Sequence, residues 1–230
     1  AIYVNGFLTV NGKKMSKSRG TFIKARTYLN HSKPEYLRYY YAYKTNSGID
    51  DFDLDTNDFE KRVNSDLVGK WINIASRSAK FINKYFENKI SQSLDNPELI
   101  KTFQEASEDI SSLYEKREFG QAMRKIMLLA DQANQYLEKE KPWVLIKDEL
   151  NYEKVHAVCS TAINLFFILM VYLKPVVPNI AKEAEQFLNL ESQYWNDINK
   201  TILSHKINDY PALLTRIKKE DIELIIKDSI

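Results

Sequence analysis

Lys14, Met15, Ser16, Lys17 and Ser18 form the sharpest chemical cluster in the chain. Two ammonium groups three residues apart, separated by small hydroxyl-bearing residues, make a flexible loop rich in hydrogen-bond donors. Such a loop suits a triphosphate or pyrophosphate whose charge rises during displacement. A lysine carries a compact charge on a flexible stem, so it can follow a moving phosphate. The competing reading is a solvated basic loop or a targeting patch. At ordinary residue frequencies this pentamer arises by chance in a chain of 230 residues with odds on the order of 10⁻⁴, which favours the chemical role. A nucleophilic serine would need a base partner, and no such partner is found for Ser16 or Ser18, which read as loop-shaping residues.

A second cluster lies on a helix around Asn73. At about 100° per residue, Leu67, Trp71, Ile74, Ser78, Phe81, Ile82 and Tyr85 fall on one apolar arc. Lys70, Asn73, Arg77, Lys80 and Lys84 share the opposite side, with Asn73 and Arg77 one turn apart. An amide and a guanidinium together can read the edges of unstacked bases while the lysines meet phosphates. The alternative is a solvated basic face. Trp143 follows Pro142 at the end of a charged stretch, Glu138 to Lys141; it can plug a helix join or offer a stacking platform for a splayed base. Trp71 falls on the apolar arc and reads as core. His31, His156 and His205 show no ligand spacing and read as loop or helix-surface residues. The acidic run from Asp50 reads as capping or solvating a turn, with a salt bridge to the basic loop as its alternative.

Composition bounds what these clusters can belong to. Apolar residues make up 44% and charged residues 28% of 26.9 kDa, the balance of a globular chain. Six glycines and six prolines leave few tight turns for a sandwich or barrel. A single cysteine, Cys159, excludes an internal disulfide framework and a multi-cysteine zinc site. The longest apolar run, Ile163 to Val171, is interrupted by Asn164, so no membrane span is expected. The start does not read as a signal peptide, and a reducing, cytoplasmic setting follows. Residues 1–38 hold eight Lys or Arg and one Glu, a net +7, so the other 192 residues carry −5 within the whole-chain +2. A basic head on an acidic chain points to a local polyanion site. Ala1 opens inside what reads as an extended segment, so a fragment of a longer chain is expected.

The elements that must position these residues follow from pattern. Ile2 to Val10 reads as a short strand or hairpin arm, Asn11-Gly12 as its turn, and Lys13 to Gly20 as a loop. The pattern turns helical from Thr21. Ser32-Lys33-Pro34-Glu35 has the form of a capping box opening a helix to about Lys44, which Asn46-Ser47-Gly48 ends. Asp50 to Leu54 is extended. Helical periods then place helices near 57–88, 97–114, 116–139, 142–148, 151–174, 178–190 and 210–228, with Asn96-Pro97 as an N-cap and first-turn proline. The expected fold is mainly α: a small α+β region over 1–56, then an all-helical bundle over 57–230.

The pentamer Lys14 to Ser18 is also the second signature sequence of the class I aminoacyl-tRNA synthetases. Its flanks, Gly6 to Gly12 and Arg19-Gly20-Thr21-Phe22, resemble methionyl-tRNA synthetases. So do Leu37-Arg38-Tyr39-Tyr40, Asp51-Phe52-Asp53-Leu54, Asn73-Ile74-Ala75-Ser76-Arg77 and Glu140-Lys141-Pro142-Trp143. The resemblance runs through the whole chain and loosens after about residue 190. In that family a catalytic Rossmann domain with a HIGH-type motif, a methionine pocket and, in many members, a zinc-bearing insertion comes first; none of these is in this sequence.

The resemblance therefore implies the end of such an enzyme: a stem-contact region with the KMSKS loop over 1–56 and an anticodon-binding domain with its C-terminal helix over 57–230. It implies that Lys14, Met15, Ser16, Lys17 and Ser18 bind ATP. Lys17 would stabilise the transition state of methionyl-adenylate formation and Lys14 would assist the phosphates. Magnesium would accompany ATP in the full enzyme, with no metal site in this fragment. Asn73 and Arg77 would contact the CAU anticodon of methionine tRNA, and Trp143, set by Pro142, would stack on its first base. Gly69 stands where some members have asparagine. The implied partners are methionine tRNA and the missing N-terminal catalytic domain, with no membrane or DNA, and the fragment alone is expected to be inactive. A stand-alone RNA-binding module is the rival. Another class I synthetase is disfavoured by the Asn73, Arg77 and Trp143 trio, and a purely structural scaffold leaves Lys14 to Ser18 unexplained.

Overall fold

Asn11 and Gly12 take φ of 48° and 71°, the positive pair whose twist matches the flanking strands of a tight hairpin. The computed structural model, which describes residues 2–16 and 21–229, folds β1 (Leu8–Val10) back on β2 (Lys13–Lys14), with Thr9 opposite Lys14. A third strand, β3 (Phe52–Leu54), pairs in parallel on the other side of β1. Parallel pairing demands a crossover, and α1 (Ala25–His31) with α2 (Pro34–Lys44) supplies it. The acidic run acts locally, as caps and turn acceptors. Asp53 accepts from Thr9 Oγ1 at 2.6 Å and Gly12 N at 2.9 Å, and Asp55 accepts from the backbone of Asn57 and Asp58. Among the described residues it makes no ion pair with Lys13 or Lys14.

The expected capping box does not form. Pro34 takes the first helical position, where its fixed φ and missing N–H fit, so Lys33 becomes the N-cap and Ser32 ends α1. Glu35 then lies one position too early to reach back. It is buried instead, accepting from Asn179 Nδ2 across to the bundle. Arg38 makes a second tie, donating from Nε to Val176 O at 2.8 Å and from its terminal nitrogen to Pro175 O at 3.2 Å.

One long helical rod carries the chain from the sheet into the bundle: α3 (Thr56–Val63), a π-helical segment Asn64–Ile72, then α4 (Asn73–Tyr85). The π segment was not expected. The Asn64 side-chain amide clamps the Ile217 backbone, donating to its carbonyl at 2.9 Å and accepting from its N–H at 2.8 Å, and buried Asp66 accepts from Tyr39 Oη at 2.8 Å. These anchors fix the widened turns, a form often found near functional sites. The rod ends at Tyr85, short of residue 88, where Glu87 and Asn88 take positive φ.

The remaining helices are α5 (Pro97–Glu105), α6 (Ser107–Glu115), α7 (Phe119–Glu140), α8 (Pro142–Leu145), α9 (Tyr152–Leu173), α10 (Pro178–Phe187) and α11 (Lys219–Lys227). The single helix expected over 97–114 is broken at Ala106. That over 142–148 stops early, because Asp148 caps a 3₁₀ turn. Residues 210–218 are irregular rather than helical; Tyr210, Thr215 and Ile217 bond through their backbone to side chains of Asn83, Tyr36 and Asn64, which diverts the chain from a helix. Asn96 caps α5 as expected, accepting from Leu99 N at 3.0 Å. Asn96→Ala is expected to cost about 1 kcal/mol, seen as a lower urea midpoint with an unchanged slope.

Around α9 the core closes. By length and composition Glu149–Leu173 is apolar enough to cross a membrane, contrary to the run-length reading, but 89% of its apolar window is buried inside the protein. A helix apolar on all sides needs cover on all sides, and α4, α5, α7 and α10 provide it. Asn164 serves as a clamp, exchanging bonds of 2.7 and 3.0 Å with the backbone of Ile202.

Candidate nucleic-acid interface

Leu67, Trp71, Ile74, Ser78 and Ile82 are buried as the periodicity requires. That leaves Asn73 and Arg77 on the side of α4 that meets α7. There a matched column appears. Lys70, Asn73 and Arg77 pair in turn with Asp131, Asn134 and Glu138, at 2.7, 2.9 and 2.7 Å. Each partner lies 61 positions further along the chain, so the two helices meet in one constant register. Sequence reasoning missed the α7 column. Its only signal was a shared spacing of three and then four residues.

Lys141 turns the chain out of α7 with φ of 47°, Pro142 starts α8 buried, and Trp143 is thereby delivered beside α4. Its ring is half-buried, and the Arg77 guanidinium lies 4.1 Å from the ring centroid. Asn73, Arg77 and Trp143 thus converge on one open cavity of about 600 Å³, together with Ser76, Lys80, Phe81, Lys84 and Tyr85. Phe81 and Tyr85, placed on the core arc by periodicity, are only half-buried. Their rings stack at 6.4 Å and form part of the cavity wall. Lys80 and Lys84 are exposed, and Lys84 Nζ lies 4.8 Å from the Tyr85 ring centroid. Lys70 lies outside this cavity, on a separate groove with Lys61, Gly69 and Arg216. The result is a concave surface with aromatic faces, an amide and a guanidinium with hydrogen-bonding groups of the kind that can meet base edges, and a cationic rim.

The loop cluster lies elsewhere. Lys14 is on β2, Met15 packs against the core, and Thr21 closes the neck below them. Thr21 Oγ1 donates to Lys14 O at 2.7 Å and accepts from Ser16 N at 3.0 Å, and Thr21 N donates to Ser16 O at 3.2 Å. Thr21 was not singled out from sequence. Lys17 and Ser18 lie outside the described residues. The histidines remain apart: His31 meets Asp228, His156 stacks on Phe86, and His205 bonds Leu188 O. Among the described residues no group of three or more His, Cys, Asp or Glu could hold a metal ion.

Comparison with known proteins gives this surface a family. Residues 1–79 match the family described as tRNA synthetases class I (M), and residues 90–223 match the anticodon binding domain of methionyl tRNA ligase. A methionine–tRNA ligase of Vesicomyosocius okutanii is 53% identical over the whole chain, which covers 42% of that protein. One of Francisella tularensis is 52% identical, with 34% of its length covered. The chain thus spans less than half the length of either relative. The fold is shared with Mycobacterium tuberculosis methionyl-tRNA synthetase in complex with methionyl-adenylate, at a TM-score of 0.82 and 20% identity, over 90% of this chain and 42% of that one. With the anticodon-binding model covering more than half its length and the class I model most of the remainder, the chain belongs to the methionyl-tRNA synthetase family.

Proposed function

We propose that the chain is the C-terminal region of a methionine–tRNA ligase that reads the CAU anticodon of methionine tRNA. Its Lys14–Ser18 loop serves methionyl-adenylate formation in the longer enzyme. The convergence of Asn73, Arg77 and Trp143 on one cavity carries this reading. Residues 1–56 then form the stem-contact region and 57–230 the anticodon-binding domain. Trp143 offers its ring to an unstacked anticodon base, Asn73 and Arg77 meet base edges, and Lys80 and Lys84 meet the backbone.

At the other site, Lys17 supplies an ammonium where charge develops as pyrophosphate leaves ATP, and Lys14 supplies a second. Thr21 holds the neck of that loop closed. Magnesium would accompany ATP in the longer enzyme, held mainly by the phosphates and water.

The test is binding of a CAU stem-loop against stem-loops with other anticodons, followed by fluorescence anisotropy over a range of salt. A clear preference for CAU is expected, and equal affinity for all sequences would leave only a general RNA-binding module. Lys80→Ala should weaken every stem-loop alike and flatten the slope of log affinity against log salt by about 0.7, one single-strand phosphate contact. These residues alone should show no methionine-dependent ATP–pyrophosphate exchange, because one loop cannot align ATP and a carboxylate for in-line attack. Exchange well above background would overturn that part.

A further inference from the structure

We propose that Asn134 is a positioning residue that turns the Asn73 amide so that its oxygen faces the cavity, making this position a reader of an exocyclic base amine. Asparagine can present either end of its amide, so its polarity has to come from its partners. Asn134 lies on α7 with its Nδ2 donating to two backbone carbonyls, Lys70 O at 3.0 Å and Ala130 O at 2.8 Å. Carbonyl oxygens only accept, so the nitrogen of Asn134 must face them and its oxygen must face away. That oxygen accepts from Asn73 Nδ2 at 2.9 Å. The direction of Asn73 is therefore set by two peptide groups, one on each helix, through Asn134 as relay.

Asn73 Oδ1 is left over. It has no hydrogen-bond partner among the described residues, and Asn73 lines the cavity beside Arg77 and Trp143. An outward acceptor, with the second Nδ2 hydrogen beside it, fits the amine and ring nitrogen of cytosine or adenine. It repels the carbonyl of uracil or hypoxanthine. A reversed amide would give the opposite preference. A buried polar edge left facing a like group discriminates more strongly than a mere change of shape. The flanking pairs keep the relay in register: Lys70 with Asp131 before it and Arg77 with Glu138 after it.

This inference rests on the anticodon reading above, and the experiment separates the two. Three synthetic stem-loops are titrated against the protein: CAU, a second with uracil in place of the cytosine, and a third with hypoxanthine in place of the adenine. The wild-type protein is expected to bind one of the two keto analogues about tenfold or more weakly, the scale of a lost base contact. The analogue that suffers identifies which base meets Asn73. Asn134→Ala should shrink that ratio to within about threefold and leave the ratio for the other analogue unchanged. A purely structural role would instead weaken all three RNAs in parallel and preserve both ratios, which overturns the proposal. A wild-type protein that binds CAU no better than a scrambled loop overturns the anticodon reading itself. Should Asn134→Ala fail to fold by circular dichroism, Asn134→Ser decides. Its hydroxyl can still donate to Ala130 O within the helix but no longer offers the amide oxygen that fixes Asn73, so the same ratio should shrink. An unchanged ratio in that variant overturns the proposal.

Discussion

Trp71→Ala is expected to lower the unfolding free energy by about 3–5 kcal/mol, the cost of truncating a fully buried aromatic. Trp71 is 0% exposed and lies face to face with Phe166 of α9, with centroids 5.5 Å apart and planes 16° apart. It locks the π segment against the most buried helix, so the gap left by alanine faces side chains already held on all sides. Close-packed surroundings relax only in part, and the cavity adds to the lost transfer energy. The indole Nε1 has no hydrogen-bond partner among the described residues, which lets a second substitution refine the test. Trp71→Phe removes that unpartnered donor along with one ring, so it should cost clearly less than alanine. Urea denaturation of the two variants checks both numbers. A loss below about 1 kcal/mol for alanine would mean that this ring does not hold the rod to α9.

Legibility from sequence divided along physical lines. Helix content, the Asn11-Gly12 hairpin and the Asn96 cap were readable because each depends on residues close in the chain. The π segment was not, since its causes lie far away: Ile217 for Asn64 and Tyr39 for Asp66. Pro34 could have warned against the capping box, because a first-turn proline fixes which residue is the cap. Residues 210–218 carry an apolar spacing compatible with a helix, yet side chains of the rod and α2 capture their backbone groups and leave the segment irregular. In the candidate site, spacing placed Asn73 and Arg77 on one face, and the family resemblance brought in Trp143. The α7 column stayed hidden, because one helix's sequence does not state which neighbour its polar face will meet. Phe81 and Tyr85 were assigned to the core by arc alone, and only the open end of the α4 groove shows that they face outward in part.

Trp143→Ala is expected to weaken binding of a CAU stem-loop by about 1–3 kcal/mol, the range for one base–aromatic stack, with a much smaller effect on stability than Trp71→Ala. The contrast follows from burial. Trp143 is only half-buried where it packs against the core, and the Arg77 guanidinium over its ring makes a cation–π contact worth roughly 0.5–1 kcal/mol when exposed. Arg77 in turn pairs with Glu138, whose side chain is 59% exposed; an ion pair open to water adds about 0–1 kcal/mol. Arg77→Ala should therefore fold almost normally and, with the base contact proposed for it removed, lose about 1–3 kcal/mol of affinity. Because guanidinium and ring touch, the two losses should not add, and the double variant measures their coupling. Trp143→Phe should retain part of the affinity, since a smaller ring still stacks. A helix-join plug predicts the reverse: a large fall in melting temperature, with binding lost only as folding is lost. Melting curves and RNA titrations on the same variants separate these cases. A folded Trp143→Ala protein with unaltered affinity would exclude this ring as the platform and leave Phe81 and Tyr85 as the aromatic surfaces of the cavity.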